Sequence, residues 1–447
     1  MSKRQARSQD PIHSIIEDAL EPGFFISWSA SYSFLSGLRQ VEERIAGLVQ
    51  AEPIRAAGLY ETFIAGCNEK AEEIDDSDGE LGMFAGGLFC GWIRARQAAD
   101  ADRDETSKLL LAWMDDDPYG FCNDLVPEAV KVFDRAGLEA FERQVRLRLQ
   151  AALDKRKRSP RPESDFHLNH WGQMLKAIYV QQRNIPKYLE VASQIGLTQA
   201  DCEAVATMFQ AKRKPQDALS WVERGLEMGM RDRFETGAAR LAEMRRALLA
   251  KLGRSEEALQ SAWTEFQAHP NRLTYEELLR YVPKAERGAW REKAMAASEK
   301  ADLTSAIELW LAAKEIARLV QRLERTSDAQ LENLSHYVTE PAAQKLALAH
   351  PGVAARVYRA LCVRILNAGK SKYYHAALSS LEKARDCYQR AGRESDWIAL
   401  VAEIRRAHHR KTGFMPGFER IAAGKEASRE PSFLERARGR WVQRAKL

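Results

Sequence analysis

The chain has 447 residues, a formal net charge of +5, 45% hydrophobic and 29% charged residues. That length can bury a large core or several modules, and that balance excludes both a disordered chain and a membrane-embedded one. Ala, Leu, Glu, Arg and Lys dominate and favour helix, whereas runs of alternating Val, Ile or Thr bounded by hairpin dipeptides are missing.

Residues 1–10 are polar, charged and aperiodic, and are expected to be disordered. They carry no apolar core, so no signal peptide is expected, and no stretch of the chain reaches membrane-spanning length. An N-terminal helical domain is expected over 11–153. After the break at Glu21-Pro22-Gly23 comes an aromatic-rich segment with Phe24, Phe25, Trp28 and Tyr32, amphipathic from Ser31 onward. A helix covers Pro53 to Glu73.

The acidic run Asp75-Asp76-Ser77-Asp78-Gly79 invites a calcium-loop reading, but that register puts Ile74 and Ala85 at ligand positions. The spacing of Ser77 and Glu80 predicts instead a capping box for a helix over Leu81 to Ile93. A further helix ends at Trp113-Met114, and Asp115-Asp116-Asp117-Pro118-Tyr119-Gly120 reads as a turn.

Residues 154–164, DKRKRSPRPES, read as a polar, proline-containing linker with the basic run Lys155, Arg156, Lys157 and Arg158. Beyond it, 165–423 is predicted to be a tetratricopeptide-like helical repeat domain. The recurring units PQDALSW, SEEALQSAW, TSAIELW and YHAALSSL place apolar groups on one helix face. Around the second, Gly253, Ala258 and Pro270 match the turn glycine, small residue and terminal proline of such a repeat. The anchors Ala218, Ala258, Ala306 and Ala376 are 40, 48 and 70 residues apart, so no strict period holds. The clearest hairpin runs from Ser371 to Phe418: Gly392 closes its first helix, Ser395 is expected to cap the second, and Trp397, Leu400, Val401 and Ile404 form a stripe. The fold class is therefore all-α, an irregular α-solenoid of antiparallel helical hairpins with about 18–22 helices.

Residues 424–447 form a distinct basic tail. From Glu403 to Leu447 there are 12 Arg and Lys against 5 Glu, a balance of +7; the rest of the chain then sums to +5 − 7 = −2. Ser432 and Glu435 have capping-box spacing ahead of Phe433, Leu434 and Trp441.

Catalytic and ligand motifs do not emerge. Gly369-Lys370-Ser371 imitates the end of a phosphate loop, but Arg364 stands where its upstream glycine belongs. His167, His170, His408 and His409 have no third ligand placed by sequence. Six scattered cysteines show no CxxC or CxC and are expected to be buried small hydrophobes in a reducing cytoplasm.

The segments DDSDGELG, LFCGWIRARQAAD and LLLAWMDDDPYGF, with the final EIRRAHHRKTGFMPGFE, resemble the helical domain of bacterial SWIM zinc-finger proteins and their finger-less relatives. The resemblance implies a helical structure and little about function. The finger's own CxC and CxH are missing here, so zinc is not implied.

The functional expectation is a non-enzymatic scaffold with a protein partner, no cofactor, no metal and no membrane. The alternative is association with nucleic acid, with phosphates held by Lys155, Arg156, Lys157, Arg158, Arg405, Arg406, Arg410, Lys411, Arg436, Arg438, Arg440 and Arg444.

Overall fold

The computed structural model describes residues 10–21, 23–158, 162–229 and 237–424. Every regular element among them is helical, and the one β-type pairing is an isolated bridge between Ile26 and Ile74. The chain divides into two compact units, Met1–Leu248 and Leu249–Leu447.

The first unit begins with α1 (Pro11–Leu20), α2 (Trp28–Ala46), α3 (Pro53–Lys70) and α4 (Glu80–Ala98). It continues through α5 (Arg103–Asp115), α6 (Leu125–Val132), α7 (Arg135–Arg158) and α8 (Pro162–Gln181). Next come α9 (Ile185–Ile195), α10 (Gln199–Ala211), α11 (Pro215–Gly229) and α12 (Ala238–Lys251), the last crossing into the second unit. Helices adjacent in sequence pack on one another, α3 on α4, α7 on α8, α8 on α9 and α10 on α11. Their apolar stripes merge into one core that includes Phe63, Trp92, Phe141 and Tyr179.

The second unit holds α13 (Ser255–Ala268), α14 (Arg272–Tyr281), α15 (Arg287–Ser298), α16 (Leu303–Ala313), α17 (Ile316–Arg325) and α18 (Asp328–Asn333). It ends with α19 (His336–Leu346), α20 (Pro351–Ala368), α21 (Tyr374–Arg390), α22 (Glu394–His408) and α23 (Met415–Ala422). Here α13 packs on α14, and α20 lies between α19 and α21. Its core is a separate set built around Phe266, Trp310, Cys362, Phe414 and Phe418. The 23 α-helices among the described residues exceed the expected 18–22, because short pieces such as α18 have capping boxes of their own.

One turn recurs. At Arg183, Arg213, Gly253, Lys314 and Gly392 the backbone takes a positive φ, and the next helix starts two residues later. In each case the following N–H bonds back to a carbonyl five residues earlier: Asn184 to Tyr179, Lys214 to Phe209, Arg254 to Leu249, Glu315 to Trp310, Arg393 to Tyr388. That is the left-handed helix stop that satisfies the last carbonyls of one helix and aims the chain into the next. Gly253 and Gly392 match the expected turn glycines. Gly369, read as the end of a failed phosphate loop, is simply the left-handed cap of α20.

Three local expectations are corrected. The basic run Lys155–Arg158 is not in a linker but forms the last turn of α7. Buried Leu149 and Ala152 carry the apolar stripe that far, and basic residues favour the negative end of a helix dipole. The helix after the acidic run is capped by Asp76, whose carboxylate accepts the N–H groups of Leu81 at 2.8 Å and Gly82 at 3.3 Å. Ser77 bonds Asp75 instead. Ser395 lies inside α22 and makes no cap; Arg393 precedes that helix without a side-chain cap bond. Trp397, on the same helix, is half-buried against the second core.

Candidate interaction site

The basic residues singled out by the sequence fall into separate groups. Lys155, Arg156, Lys157 and Arg158 are all exposed at the end of α7, in the first unit. Arg405, Arg406, Arg410 and Lys411 belong to the second unit. Arg405 is engaged, donating to both oxygens of Glu419 at 2.8 and 2.6 Å and so tying α22 to α23. Arg406 and Arg410 are exposed. Arg436, Arg438, Arg440 and Arg444, with the rest of the tail from 425 on, lie outside the described residues.

Buried charge serves the fold. Asp201 is buried at the start of α10, 2.7 Å from the Nζ of buried Lys176 on α8. The hydroxyl of Tyr188 on α9 donates to it at 2.7 Å and the Thr198 backbone N–H at 2.8 Å. Burial pushes the Asp201 pKa up, but Lys176, the Thr198 N–H and Tyr188 outweigh it and hold it below the usual range. Glu142 on α7 likewise accepts from Lys187 at 2.6 Å and from the Tyr179 hydroxyl at 2.9 Å. In the second unit Arg359 of α20 reaches Glu332 and Glu403, each at 3.1 Å, joining α18 and α22. These groups are closed in on each other and staple neighbouring helices. None of them faces the grooves described below.

All six cysteines are buried and none is in a disulfide. Burial pushes the thiols of Cys67, Cys122 and Cys362 up to about 12, which removes the thiolate that metal binding or nucleophilic attack requires. His170 is lowered by burial and stacks near Phe166 and Trp171, as a packed side chain does. No group of three or more His, Cys, Asp or Glu among the described residues is arranged to hold a metal.

The accessible features are of another kind. Phe24, Phe25, Trp28 and Tyr32 are between 60% and 75% exposed within nine residues of chain. They precede α2 or stand on its first turns, while Ser31, Leu35 and Leu38 take the buried face. In the same unit a groove of about 510 Å³ opens beside α3 and the loop after α5. It is lined by Phe89, Trp113, Tyr119 and Phe121 and by the carboxylates of Glu61, Glu69, Glu72, Asp116 and Asp117. In the second unit a groove of about 490 Å³ holds Tyr337, Tyr373, Arg364 and Lys370.

Residues 21–416 match the family of unknown function DUF6880. The chain belongs to this family. The match spans most of both units of this DUF6880 protein and includes the aromatic segment and both grooves. The match does not itself show a link to the SWIM-associated helical domain. No curated protein matches the chain. Among solved structures it is similar to a chain of Naa15/Naa10 bound to HypK-THB, at 15% identity and a TM-score of 0.32. That similarity covers 88% of this chain and 63% of the other, so the DUF6880 protein spans less than two thirds of its neighbour's length. A circular tandem repeat protein with novel repeat topology is similar at 14% identity and a TM-score of 0.19, over 92% and 93% of the two chains.

Sequence reasoning missed the acidic groove because its walls come from three separate segments. The run Asp115–Asp117 read as a turn, and nothing in the spacing of Glu61 and Glu69 on α3 and Glu72 just beyond it points to Trp113. The four aromatics of the N-terminal segment carry no mark in the sequence that separates exposed from packed side chains.

Proposed function

We propose that this DUF6880 protein is a non-enzymatic helical-repeat scaffold that binds another protein, and that it works in the cytoplasm. The observation that carries the reading is the aromatic surface of Phe24, Phe25, Trp28 and Tyr32. Four large aromatics held in water within nine residues of chain cost free energy, and exposed apolar groups gathered in that way mark interaction surfaces. Aromatic side chains are also the residue type that most often anchors a protein interface. Stacked hairpins suit the role, since such folds offer extended surfaces and leave function to what docks there. Six buried cysteines outside any disulfide support a reducing compartment. No helix among the described residues is long and apolar enough to cross a membrane.

The test is photo-crosslinking in native lysate from a crosslinking residue placed at Ser29, with and without Phe25→Ser, Trp28→Ser and Tyr32→Ser. A discrete protein adduct that survives nuclease and disappears in the triple variant is the expected result. An adduct unchanged by the triple variant overturns the reading. A second reading, nucleic-acid association, has one observation in its favour, the four exposed basic residues ending α7. Replacing all four with Gln then weakens retention on DNA or RNA and flattens its salt dependence, because fewer counterions are released.

A further inference from the structure

The groove beside α3 and the loop after α5 has chemistry that fits one class of occupant. We infer that it docks a lysine- or arginine-rich peptide segment of a partner protein. The inference rests on the interaction reading above and names the partner's chemistry.

Five carboxylates line the groove and no Lys, Arg or His does. Three of the five are held by neutral donors. Glu61 accepts the indole N–H of Trp92 at 2.9 Å, and Glu72 accepts the hydroxyl of Tyr119 at 2.9 Å. Asp117 accepts the backbone N–H groups of Phe121 at 3.0 Å and Cys122 at 2.7 Å. Such bonds fix where a carboxylate points without cancelling its charge. Glu69 and Asp116 have no ion-pair partner among the described residues. Carboxylates just outside the groove differ: Asp115 pairs with Arg148 and Glu73 with Lys70. The five groove carboxylates thus keep their charge uncompensated by any ion pair among the described residues. Like charges gathered around an apolar floor repel one another and focus a negative potential there, an arrangement that an incoming cation relieves.

The floor adds a second requirement. Trp113 and Tyr119 line the groove and are both partly exposed, with Phe89 and Phe121 beneath. Aromatic faces attract ammonium and guanidinium groups, and the alkyl stems of Lys and Arg cover apolar surface while their heads stay polar. A metal ion fits poorly, because these carboxylates do not form a set that could hold one. A volume of about 510 Å³ accommodates several side chains in place of a single head group.

The test uses the full chain and a short fluorescein-labelled peptide of alternating Arg and Leu, read by anisotropy across a salt series. A glutamate counterpart peptide and unlabelled spermine serve as competitors. The double variant Glu69→Gln/Asp116→Asn removes two groove charges without breaking a bond described above. Glu256→Gln/Glu394→Gln removes the same net charge from exposed positions in the second unit. Saturable binding of the Arg peptide, about tenfold weaker in the groove variant and little changed in the control, is the expected result. Equal loss in both variants, or binding of the glutamate peptide, overturns the inference. Spermine competing as strongly as the unlabelled Arg peptide assigns the groove to small polycations and also overturns it. If peptide binding fails while the Ser29 crosslink persists, the groove inference falls and the scaffold reading stands.

Discussion

Arg183, Arg213 and Lys314 hold a backbone conformation that ordinary residues avoid, with φ of 51°, 59° and 60°. A Cβ in the left-handed region costs about 1–2 kcal/mol. Each position nonetheless closes a helix and opens the next, so the turn geometry overrides the side chain's preference. Glycine would remove that strain but would add unfolded-state entropy worth about 0.5–1 kcal/mol. The first effect is the larger. Arg213→Gly should therefore raise stability by about 0.5–1 kcal/mol in urea melts, while Arg213→Ala should leave it nearly unchanged. A glycine variant no more stable than the alanine variant would show that the turn is unstrained. The same residues explain an uneven legibility. Turns at Gly253 and Gly392 could be read from the sequence because glycine announces a positive φ; turns at Arg183, Arg213 and Lys314 carry no such mark.

Helix boundaries follow from which side chain reaches the free N–H groups, and spacing alone does not decide that. Ser77 and Glu80 have the right separation, yet Asp76 occupies the end of α4 because Gly79 turns the chain with φ +73° and brings Asp76 over Leu81 and Gly82. Asp76→Ala should cost about 1 kcal/mol in denaturant melts, the usual value of a cap, and Ser77→Ala much less. Equal losses would return the cap to Ser77. Between helices, Asp201 joins α8, α9 and α10 through Lys176 and Tyr188. Asp201→Asn leaves Lys176 buried without its counter-charge and should cost about 3–5 kcal/mol at neutral pH. The sign of its pH dependence follows from a pKa held below the ordinary aspartate value of 3.8. Such a group stabilises fully above its unfolded pKa, and the contribution fades as pH falls through the lower folded one. The stability gap between wild type and Asp201→Asn should stay constant from pH 7 to about pH 5 and shrink below about pH 4. A gap that widened on acidification would contradict the ion pair. The hairpins themselves were legible from apolar spacing. The ion pairs inside them were not, since Asp201 and Glu142 look like any other charged residue on a charged helix.

At the scale of the whole chain, the two cores have no residue in common. One is built from residues between Ile16 and Met208, the other from residues between Ala262 and Ile421. Stacked hairpins contact mainly their neighbours in sequence, so stability is held locally and a lesion spreads as far as the packing it disturbs. Asp201→Asn is suited to reading that range, because its partners Lys176, Tyr188 and Thr198 all lie in the first unit. Hydrogen exchange followed by mass spectrometry should show faster exchange in peptides from α7 to α11. Peptides from α18 to α22, held by Arg359 with Glu332 and Glu403, should exchange as in the wild type. The reciprocal variant, Arg359→Met, should speed exchange in α18 to α22 and leave α7 to α11 unchanged. Uniform acceleration across both sets in either variant would mean that the units open as one, and the division between Leu248 and Leu249 would then carry no energetic meaning.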